Sequence, residues 1–538
     1  MNSQSPMTTT NMRHVNSHTS VHGHLQQRFS VLSTMAMAFA ILNTWIALAG
    51  SVGLVLPSGG SSALLYGFIF CVICNFALVG SLGELAAIWP TAGGQYHFVY
   101  AICSERWRRP MSFITGWANI FGWLSVITVQ AFFAAQFISA ASVIASYEAY
   151  IVTQANTYGI FMAVLVFGTV VNIWGNRILA LWSKASLYWS ILGVLVVSII
   201  LLAMSKKATA DFVFAEFNNE TGWPDGMAWL LGLLQPALSL IGFDVVMHMA
   251  EEMPRPSKDI PRAMIYAVAI GGVTGTLFIL VTLFCFWDPE TLLASSTGIP
   301  VAELILQATK SRAAATVLNL MLAVCFINGT VASITSTSRL VWSMARDDGI
   351  FFSRFFSKIK YSLDVPVNTI LACSVFNALF GLLYLGPYVA FSAYMSSCTI
   401  FLNVSYAMPV VMLLIRGRET LAAHQYPGVP HQLGRWGLPV NVVAALYVVI
   451  TTVLFSFPTV LPVDSNNMNY VVVVFGIFLV FVTIFWVIRG SQFTGPDFDS
   501  IFRSAGAMVE DPETLAGVSP PSESKEEGLT SGKHLSNN

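Results

Sequence analysis

Four ionisable side chains stand inside otherwise apolar stretches of this sequence: Glu84, Asp244, His248 and Arg339. An ionisable group inside a lipid bilayer is costly and usually handles a substrate, an ion or a proton. Asp244 and His248 are four residues apart, so they share one face if a helix continues between them. This pair has the chemistry to hold an amine or a proton, although a packing histidine is the structural alternative for His248.

The other two residues have stronger structural alternatives. Glu84 lies near the end of its apolar run, where it either bonds to a neighbouring helix or carries a proton. Arg339 also lies near the end of a run, where its long stem lets the guanidinium reach the lipid headgroups. We therefore take Glu84, Asp244 and His248 as coupling candidates and Arg339 as a structural residue.

Glycines interrupt two of the apolar runs. Gly50, Ser51 and Gly53 lie in the middle of run 32–55, and Gly242 precedes Phe243-Asp244 in run 228–249. Glycines in membrane helices permit close packing, or local unwinding that exposes backbone polar groups to a ligand. Paired interruptions in a first and a sixth span are typical of transporters built from inverted repeats. We therefore expect both helices to be broken at these residues.

The composition places these runs in a membrane. Only 10% of the 538 residues are charged and 55% are hydrophobic, whereas soluble proteins carry about 25% charged residues. A soluble enzyme and a disordered chain are thereby excluded, and the net charge of −1 gives no general attraction to nucleic acid. Since a helix needs about 20 apolar residues to cross a bilayer, we predict an all-α integral membrane protein with twelve transmembrane helices. The predicted spans are 32–55, 62–89, 111–139, 158–175, 184–204, 228–249, 263–287, 314–343, 366–385, 388–415, 438–457 and 469–489.

These spans form one predicted transporter domain, residues 31–489, between two polar tails. Residues 1–30 and 490–538 are expected to be disordered and cytoplasmic, because they cannot bury enough apolar surface to fold. The seven cysteines lie at or inside apolar segments without a CxxC pair, so we predict no metal site and no cofactor. The histidines of the first tail are expected to be solvated: His14, His18, His22 and His24.

Basic residues in the loops predict the orientation. One set of alternate loops holds most of them, including Arg106, Arg108, Arg109, Arg346, Arg354, Arg416 and Arg418. The opposite set holds Lys206, Lys207, Lys310 and Arg312. This asymmetry predicts that both termini are cytoplasmic. The triplet Asn219-Glu220-Thr221 then lies on the outer side and fits the N-glycosylation pattern.

Several stretches closely resemble the fungal permeases of the amino acid–polyamine–organocation superfamily. The run GFDVVMHMAEE at 242–252 resembles the span-six signature of the branch that carries 4-aminobutyrate and choline. PTAGGQY at 90–96, ARDDG at 345–349 and RWGLPVN at 435–441 resemble further motifs of these permeases. The likeness extends over roughly residues 30–495 and leaves only the tails outside.

The resemblance implies two inverted five-helix repeats, two further helices, and alternating access around broken helices 1 and 6. It also implies substrate contacts from Gly50, Ser51, Gly53, Ile241, Gly242, Phe243 and Asp244. In this arrangement Phe243 is an aromatic gate and Asp244 receives the substrate's amine. A quaternary ammonium would instead require an aromatic cage, with Trp45, Trp117, Trp123 and Phe243 as candidates.

Together these features predict a secondary transporter that imports a small amine-bearing solute by proton symport. An amino acid such as 4-aminobutyrate is the first expectation, and choline is the alternative. The expected partners are this substrate, a coupling proton and the lipid bilayer, at the plasma membrane or, alternatively, the vacuolar membrane. A non-transporting nutrient sensor is a more remote alternative. An enzyme is disfavoured, because the sequence contains neither an HExxH metal pair nor a GxSxG nucleophile motif.

Overall fold

A computed structural model describes residues 27–294, 297–386, 388–422, 429–464 and 467–497. Within these ranges the regular structure is helical, and no strand is present beyond two isolated bridges. The first helices are α1 Val31–Leu42, α2 Thr44–Val55, α3 Gly60–Ile88, α4 Gln95–Ile102, α5 Glu105–Ala145, α6 Gln154–Trp174 and α7 Leu179–Met204. They are followed by α8 Ala210–Phe214, α9 Asp225–Gly232, α10 Leu234–Leu238, α11 Val245–His248, α12 Pro256–Cys285, α13 Pro289–Leu293 and α14 Pro300–Thr309. The last are α15 Arg312–Arg346, α16 Ser353–Phe356, α17 Val367–Gly381, α18 Tyr388–Arg416, α19 Glu419–Ala422, α20 Gly437–Leu454 and α21 Val471–Arg489.

The first predicted span is broken at Asn43, between α1 and α2. Asn43 is left-handed, with φ 44° and ψ 31°, a conformation that asparagine tolerates better than most residues. Its side-chain amide donates to the carbonyl of Cys325 at 3.0 Å, and the Gln130 amide donates to the Ile41 carbonyl at 2.6 Å. The prediction of unwinding at Gly50–Gly53 is wrong, because these residues lie inside α2. The break occurs where other helices supply partners for the backbone.

The sixth predicted span is broken where the sequence predicts it. Residues 239–244 leave the helix between α10 and α11. Gly242 has φ +102°, and a Cβ there would lie 2.6 Å from a methyl carbon of Ile41, so both the conformation and the space require glycine. The Thr44 hydroxyl donates to the Ser239 carbonyl at 2.9 Å. The two breaks are therefore bonded directly to each other.

Eleven helices of the described chain are long and apolar enough to cross a membrane, and the sixth predicted span corresponds to the short helices of segment 225–252. The Ala208 N–H donates to the Phe284 carbonyl at 2.7 Å, so α7 and α12 end side by side. Helix α12 is 30 residues long, or about 45 Å at 1.5 Å per residue. The chain between α7 and α12 must therefore cover a similar distance to reach Pro256, the first residue of α12. Segment 225–252 covers this distance as short helices.

The N-terminal and C-terminal residues of the described chain lie on the same side of the helix bundle. We call this side the basic end. Arg28 pairs with Asp364 at 3.1 Å. The Thr494 N–H donates to the Asp347 carbonyl at 3.0 Å. Asp347 and Asp364 belong to the same connection between α15 and α17, so the chain crosses an even number of times.

The packed part of the chain extends beyond the predicted domain boundaries of 31 and 489. Phe29 is 2% exposed and Phe493 is wholly buried. Arg109 donates from its guanidinium to the carbonyls of Gly490, Ser491 and Phe493. The packed chain therefore extends at least from Phe29 to Phe493, and the rest of both predicted tails lies outside the described residues.

The burial of the helices shows which of them surround the centre. The most apolar windows of α1–α2 and α5 are 78% buried, and that of α15 is 72% buried. By contrast, the corresponding window of α21 is only 22% buried, as expected for a helix that faces lipid. The two breaks therefore lie among the most enclosed helices of the bundle.

Candidate substrate and coupling site

Asp244 lies at the break of segment six and is wholly buried. Its Oδ2 accepts from Gln95 Nε2 at 2.6 Å and from Trp123 Nε1 at 3.1 Å. Its Oδ1 accepts from the Tyr406 hydroxyl at 2.6 Å, and His248 Nε2 lies 3.4 Å from Oδ2. Four groups from α4, α5, α18 and α11 thus surround one carboxylate, which compensates for its removal from water.

The neighbouring His248 is held in one tautomer. Its Nδ1 lies 2.8 Å from the carbonyl oxygen of Ala92, and because a carbonyl only accepts, Nδ1 carries a hydrogen. Nε2 faces Asp244 and also lies 3.5 Å from Asn119 Nδ2. The same Asn119 amide donates to Gln95 Oε1 at 2.8 Å. These amides extend the network around the carboxylate into α5.

Tyr406 connects this network to the unwound backbone. Its hydroxyl oxygen accepts from the Gly242 N–H at 3.3 Å while the hydroxyl donates to Asp244. The ring of Phe243 stacks on Tyr406, with centroids 5.0 Å apart. Helix α18 therefore holds both the main chain and the carboxylate of the break in segment six.

A cavity of about 560 Å³ lies between the breaks and the end of the bundle opposite the basic end. Its wall combines the aromatic rings of Phe132 and Phe133 with polar groups, which are Gln136, Gln235, Ser396 and Thr399. Pro57, Leu293 and Pro300 line it on the side of the loops. Its described lining contains no Asp, Glu, Lys, Arg or His.

A second, much smaller cavity of about 30 Å³ continues toward the breaks. The two cavities share Val129, Phe133, Gln235 and Leu238. The small cavity reaches the breaks themselves, where it is lined by Ile41, Leu42 and Ile241. A space of this size holds one or two water molecules. A solute in the large cavity can therefore reach the breaks only if the helices move.

The predicted substrate-binding residues divide between these spaces and the protein interior. Gly50 and Gly53 line the large cavity, and Ile241 lines the small one. The Ser51 hydroxyl donates to the Ala47 carbonyl at 2.7 Å inside α2. The residues outside the lining of both cavities are Ser51, Gly242, Phe243 and Asp244.

Glu84 lies in a different network from Asp244. Its Oε1 accepts from Arg418 Nη2 at 2.8 Å and from the Leu433 N–H at 3.0 Å. Its other oxygen is buried without a partner in the described part of the chain. Glu84 thus connects α3 to the segment between α18 and α20. Of the other two coupling candidates, His248 contacts Asp244 and Glu84 does not.

Ion pairs close the bundle at the basic end. Arg339 is 1% exposed, and its Nε donates to Glu252 Oε1 at 2.9 Å. The prediction that Arg339 reaches the headgroups is therefore wrong, because an acidic partner is buried beside it. Arg346 pairs with Glu251 in the same way, and Arg28 joins the N-terminal segment to Asp364. These ion pairs hold the connections at the basic end together, and none of their residues lines either cavity.

The candidates for an aromatic cage do not lie together. Trp45 donates to the Ser190 hydroxyl at 2.9 Å, and Trp117 donates to the Gly349 carbonyl at 3.2 Å. Only Trp123 and Phe243 lie at the Asp244 network. The rings that do line the cavity, Phe132 and Phe133, were missed, because a phenylalanine in an apolar span resembles ordinary packing.

The predicted glycosylation triplet is folded into a tight turn. Asn219 Nδ2 donates to the Trp223 carbonyl at 2.7 Å and to Asp225 Oδ1 at 2.9 Å. Thr221 is wholly buried, and its hydroxyl donates to Asn219 Oδ1 at 2.7 Å. A sugar on Nδ2 would replace one of the two amide hydrogens. Glycosylation therefore requires the loss of one of the two hydrogen bonds that Asn219 Nδ2 donates, and it stays a prediction.

The described residues contain no group of three His, Cys, Asp or Glu side chains placed to hold a metal ion. The histidines of the N-terminal tail lie outside the described residues.

Two interrupted helices that are bonded to each other near a cavity, inside a bundle of helices long and apolar enough to cross a membrane, are the arrangement of a membrane carrier. The family model described as amino acid permease matches residues 29–480, and the chain belongs to this family. It is 33% identical to the choline transporter of Saccharomyces cerevisiae over 495 residues, which cover 90% of this chain and 85% of that protein. It is 31% identical to a putative amino acid/polyamine transporter of Macrophomina phaseolina over 437 residues, 81% of this chain and 96% of the relative. Amino-acid permease 2 of Neurospora crassa is 28% identical over 479 residues, 88% of this chain and 86% of the relative.

Proposed function

We propose that this permease imports a small amine-bearing solute by alternating access, in symport with protons. The proposal rests on two helix breaks that are bonded to each other and on a cavity of about 560 Å³ toward the end opposite the basic end, connected to the breaks by the smaller cavity. With the basic end in the cytoplasm, this conformation faces outward. Both termini are then cytoplasmic, and we place the permease at the plasma membrane or, alternatively, at the vacuolar membrane.

The lining of the cavity supports a quaternary ammonium such as choline as the substrate. The oxygens of Asp244 already accept from Gln95, Trp123 and Tyr406, and Asp244 lies outside the lining of both cavities, so it does not offer a free carboxylate to a primary ammonium. A methylated ammonium spreads its charge and binds well to aromatic faces, which Phe132 and Phe133 supply. The likeness to the yeast choline transporter supports the same substrate.

4-Aminobutyrate is the second candidate. The N-terminus of α2 begins at Thr44, directly after the first break, and the positive end of a helix favours a carboxylate. The polar groups of Gln136 and Gln235 line the cavity on the other side. A zwitterion, with no net charge, matches this uncharged wall, and the family description as amino acid permease supports it.

A competition panel tests the proposed function. The protein is expressed in cells that lack their own carriers, and uptake of labelled choline and labelled 4-aminobutyrate is measured at two pH values against unlabelled amino acids, choline and polyamines. We expect saturable uptake of one label that is faster at the lower external pH. Saturable binding without flux would instead support a nutrient sensor, and uptake of neither label would contradict the substrate class.

A further inference from the structure

We infer that the coupling proton is carried on His248 Nε2, facing Asp244 Oδ2. The inference rests on the proposed function and deepens it by naming the atoms that take up the proton. The two atoms are 3.4 Å apart, and both side chains are wholly shielded from solvent. Asp244 directly precedes α11, the helix that follows the break in segment six, and His248 is the last residue of that helix.

The geometry leaves one nitrogen for this task. His248 Nδ1 keeps its hydrogen on the Ala92 carbonyl, so the ring can gain or lose a proton only at Nε2. In the unloaded state the Nε2 lone pair accepts from the Asn119 amide at 3.5 Å. In the loaded state Nε2–H donates to Asp244 Oδ2. One N–H bond forms when a proton arrives from the outer solution, and the same bond breaks when the proton leaves to the cytoplasm.

The same carboxylate connects the proton to the break. Asp244 Oδ1 accepts from the Tyr406 hydroxyl, which in turn accepts from the Gly242 N–H. Loading Nε2 adds a charged donor at Oδ2, where Gln95 and Trp123 already donate. The redistribution of these bonds changes how firmly α18 holds the unwound backbone, which is the element that must move to join the two cavities.

The other titratable groups around this pair are engaged or uncharged. On α18 they are Tyr406 and Cys398, and on α4 His97 bonds to Asp347 at 2.7 Å. On α15 Arg339 pairs with Glu252, and on α12 Asp259 pairs with Arg255 at 3.6 Å. Lys258 and Arg262 of α12 are exposed, and α1 carries no charged residue. Within the described residues, His248 is the basic group that contacts Asp244.

The first test needs no substrate. Protein labelled with 15N in its histidine rings is placed in lipid bilayers, and the His248 signals are identified by their loss in His248→Asn. We expect Nδ1 to be protonated at high pH, a second proton on Nε2 at low pH, and a shift of this titration in Asp244→Asn. A ring protonated only at Nε2 at high pH, or one that takes up no second proton, would overturn the inference even if transport is confirmed.

The second test separates coupling from substrate movement. In proteoliposomes with a pH difference of one unit and the membrane potential held at zero by K⁺ and valinomycin, a carrier that moves one proton per substrate accumulates labelled choline or 4-aminobutyrate about tenfold, since one pH unit is worth about 1.4 kcal/mol. We expect His248→Asn, whose amide can replace Nδ1 on the Ala92 carbonyl, to lose this accumulation while it still exchanges labelled for unlabelled substrate. Full accumulation by this variant would overturn the inference.

His97→Asn is the matched control, because His97 is also buried beside an aspartate but lies outside the network of the breaks. It should accumulate substrate as the unaltered protein does, and an equal loss in both variants would assign the effect to general damage and overturn the inference. If the unaltered protein accumulates neither label, the proposed function fails, and the 15N measurement still decides whether His248 is a proton site.

Discussion

At the scale of single residues, Asp244 acts as a junction inside the protein. The sequence identified Asp244 and His248 because charged groups in apolar runs are rare and conspicuous. It did not identify Gln95 or Tyr406, which reach the carboxylate from 149 and 162 residues away. Neither is ionised, and although Gln95 lies in the PTAGGQY run, no local pattern shows that it reaches Asp244. The role of Asp244 in binding the substrate's amine stays a prediction. Because its oxygens already accept hydrogen bonds, we favour a role in which Asp244 holds the unwound backbone of segment six in place.

The first prediction concerns Tyr406. Tyr406→Phe removes the hydroxyl that joins Asp244 to Gly242 but keeps the ring that stacks on Phe243. A hydrogen bond to a charged group contributes about 1.5–3 kcal/mol, so kcat/KM for uptake should fall about tenfold to hundredfold. Tyr447→Phe is the control, because that buried phenol bonds to Asn75 away from the breaks. Equal uptake rates in the two variants would contradict the assignment.

The second prediction concerns the aromatic wall. Phe133 lines both cavities, and cation–π attraction in a desolvated site is worth about 1–2 kcal/mol. Phe133→Leu should therefore raise the KM for choline about tenfold and leave the KM for 4-aminobutyrate much less changed. Both are measured in the same transport assay. An equal rise for both solutes would show that the ring only shapes the cavity.

At the scale of the elements, the two breaks differ in how far the sequence revealed them. The break in segment six follows from Gly242, whose positive φ and close contact with Ile41 permit no other residue. The break in the first span depends on Asn43, which is held by a carbonyl 282 residues away. A pattern of glycines cannot reveal such a long-range partner, and Gly50 and Gly53 misled the prediction because they provide space for the cavity instead.

The third prediction tests this role of Gly50. A Cβ at Gly50 would make ordinary contacts of 3.5–3.8 Å with the rings of Phe133 and Phe137. Gly50→Ala should therefore transport nearly normally, whereas Gly50→Leu should place its side chain in the cavity and reduce uptake at least tenfold. If Gly50→Ala and Gly50→Leu lose activity equally at normal surface expression, the residue acts through its backbone and not through the space it leaves.

At the scale of the whole molecule, the structure shows a carrier that is closed at its basic end. Hydropathy and length located the eleven helices of the described chain that are long and apolar enough to cross a membrane, since these depend on composition alone. They could not show that Arg339 meets Glu252 or that Glu84 meets Arg418, 87 and 334 residues away. Partners so distant in sequence become visible only in the folded bundle. The inverted repeat remains a prediction. It requires breaks in the first and sixth spans, and the two observed breaks lie in these spans.

The fourth prediction compares two of the ion pairs at this end. Arg339 and Glu252 are 1% and 3% exposed, so Arg339→Gln leaves a buried carboxylate unpaired, at a cost of about 3–5 kcal/mol. Arg346 and Glu251 are 32% and 18% exposed, and the loss of a solvent-accessible pair costs about 1 kcal/mol or less. Thermal unfolding in detergent should show a much lower midpoint for Arg339→Gln than for Arg346→Gln. Similar midpoints would contradict the buried pair.

Proton-driven accumulation can be measured in proteoliposomes that contain only this protein, so that no other carrier contributes. Labelled choline and labelled 4-aminobutyrate are offered separately, with and without an inward pH gradient and with a protonophore. If the permease is a proton symporter, at least one label accumulates above equilibrium only when the gradient is present, and the protonophore abolishes this accumulation. Uptake that stops at equilibrium despite the gradient, or binding without uptake, would contradict it.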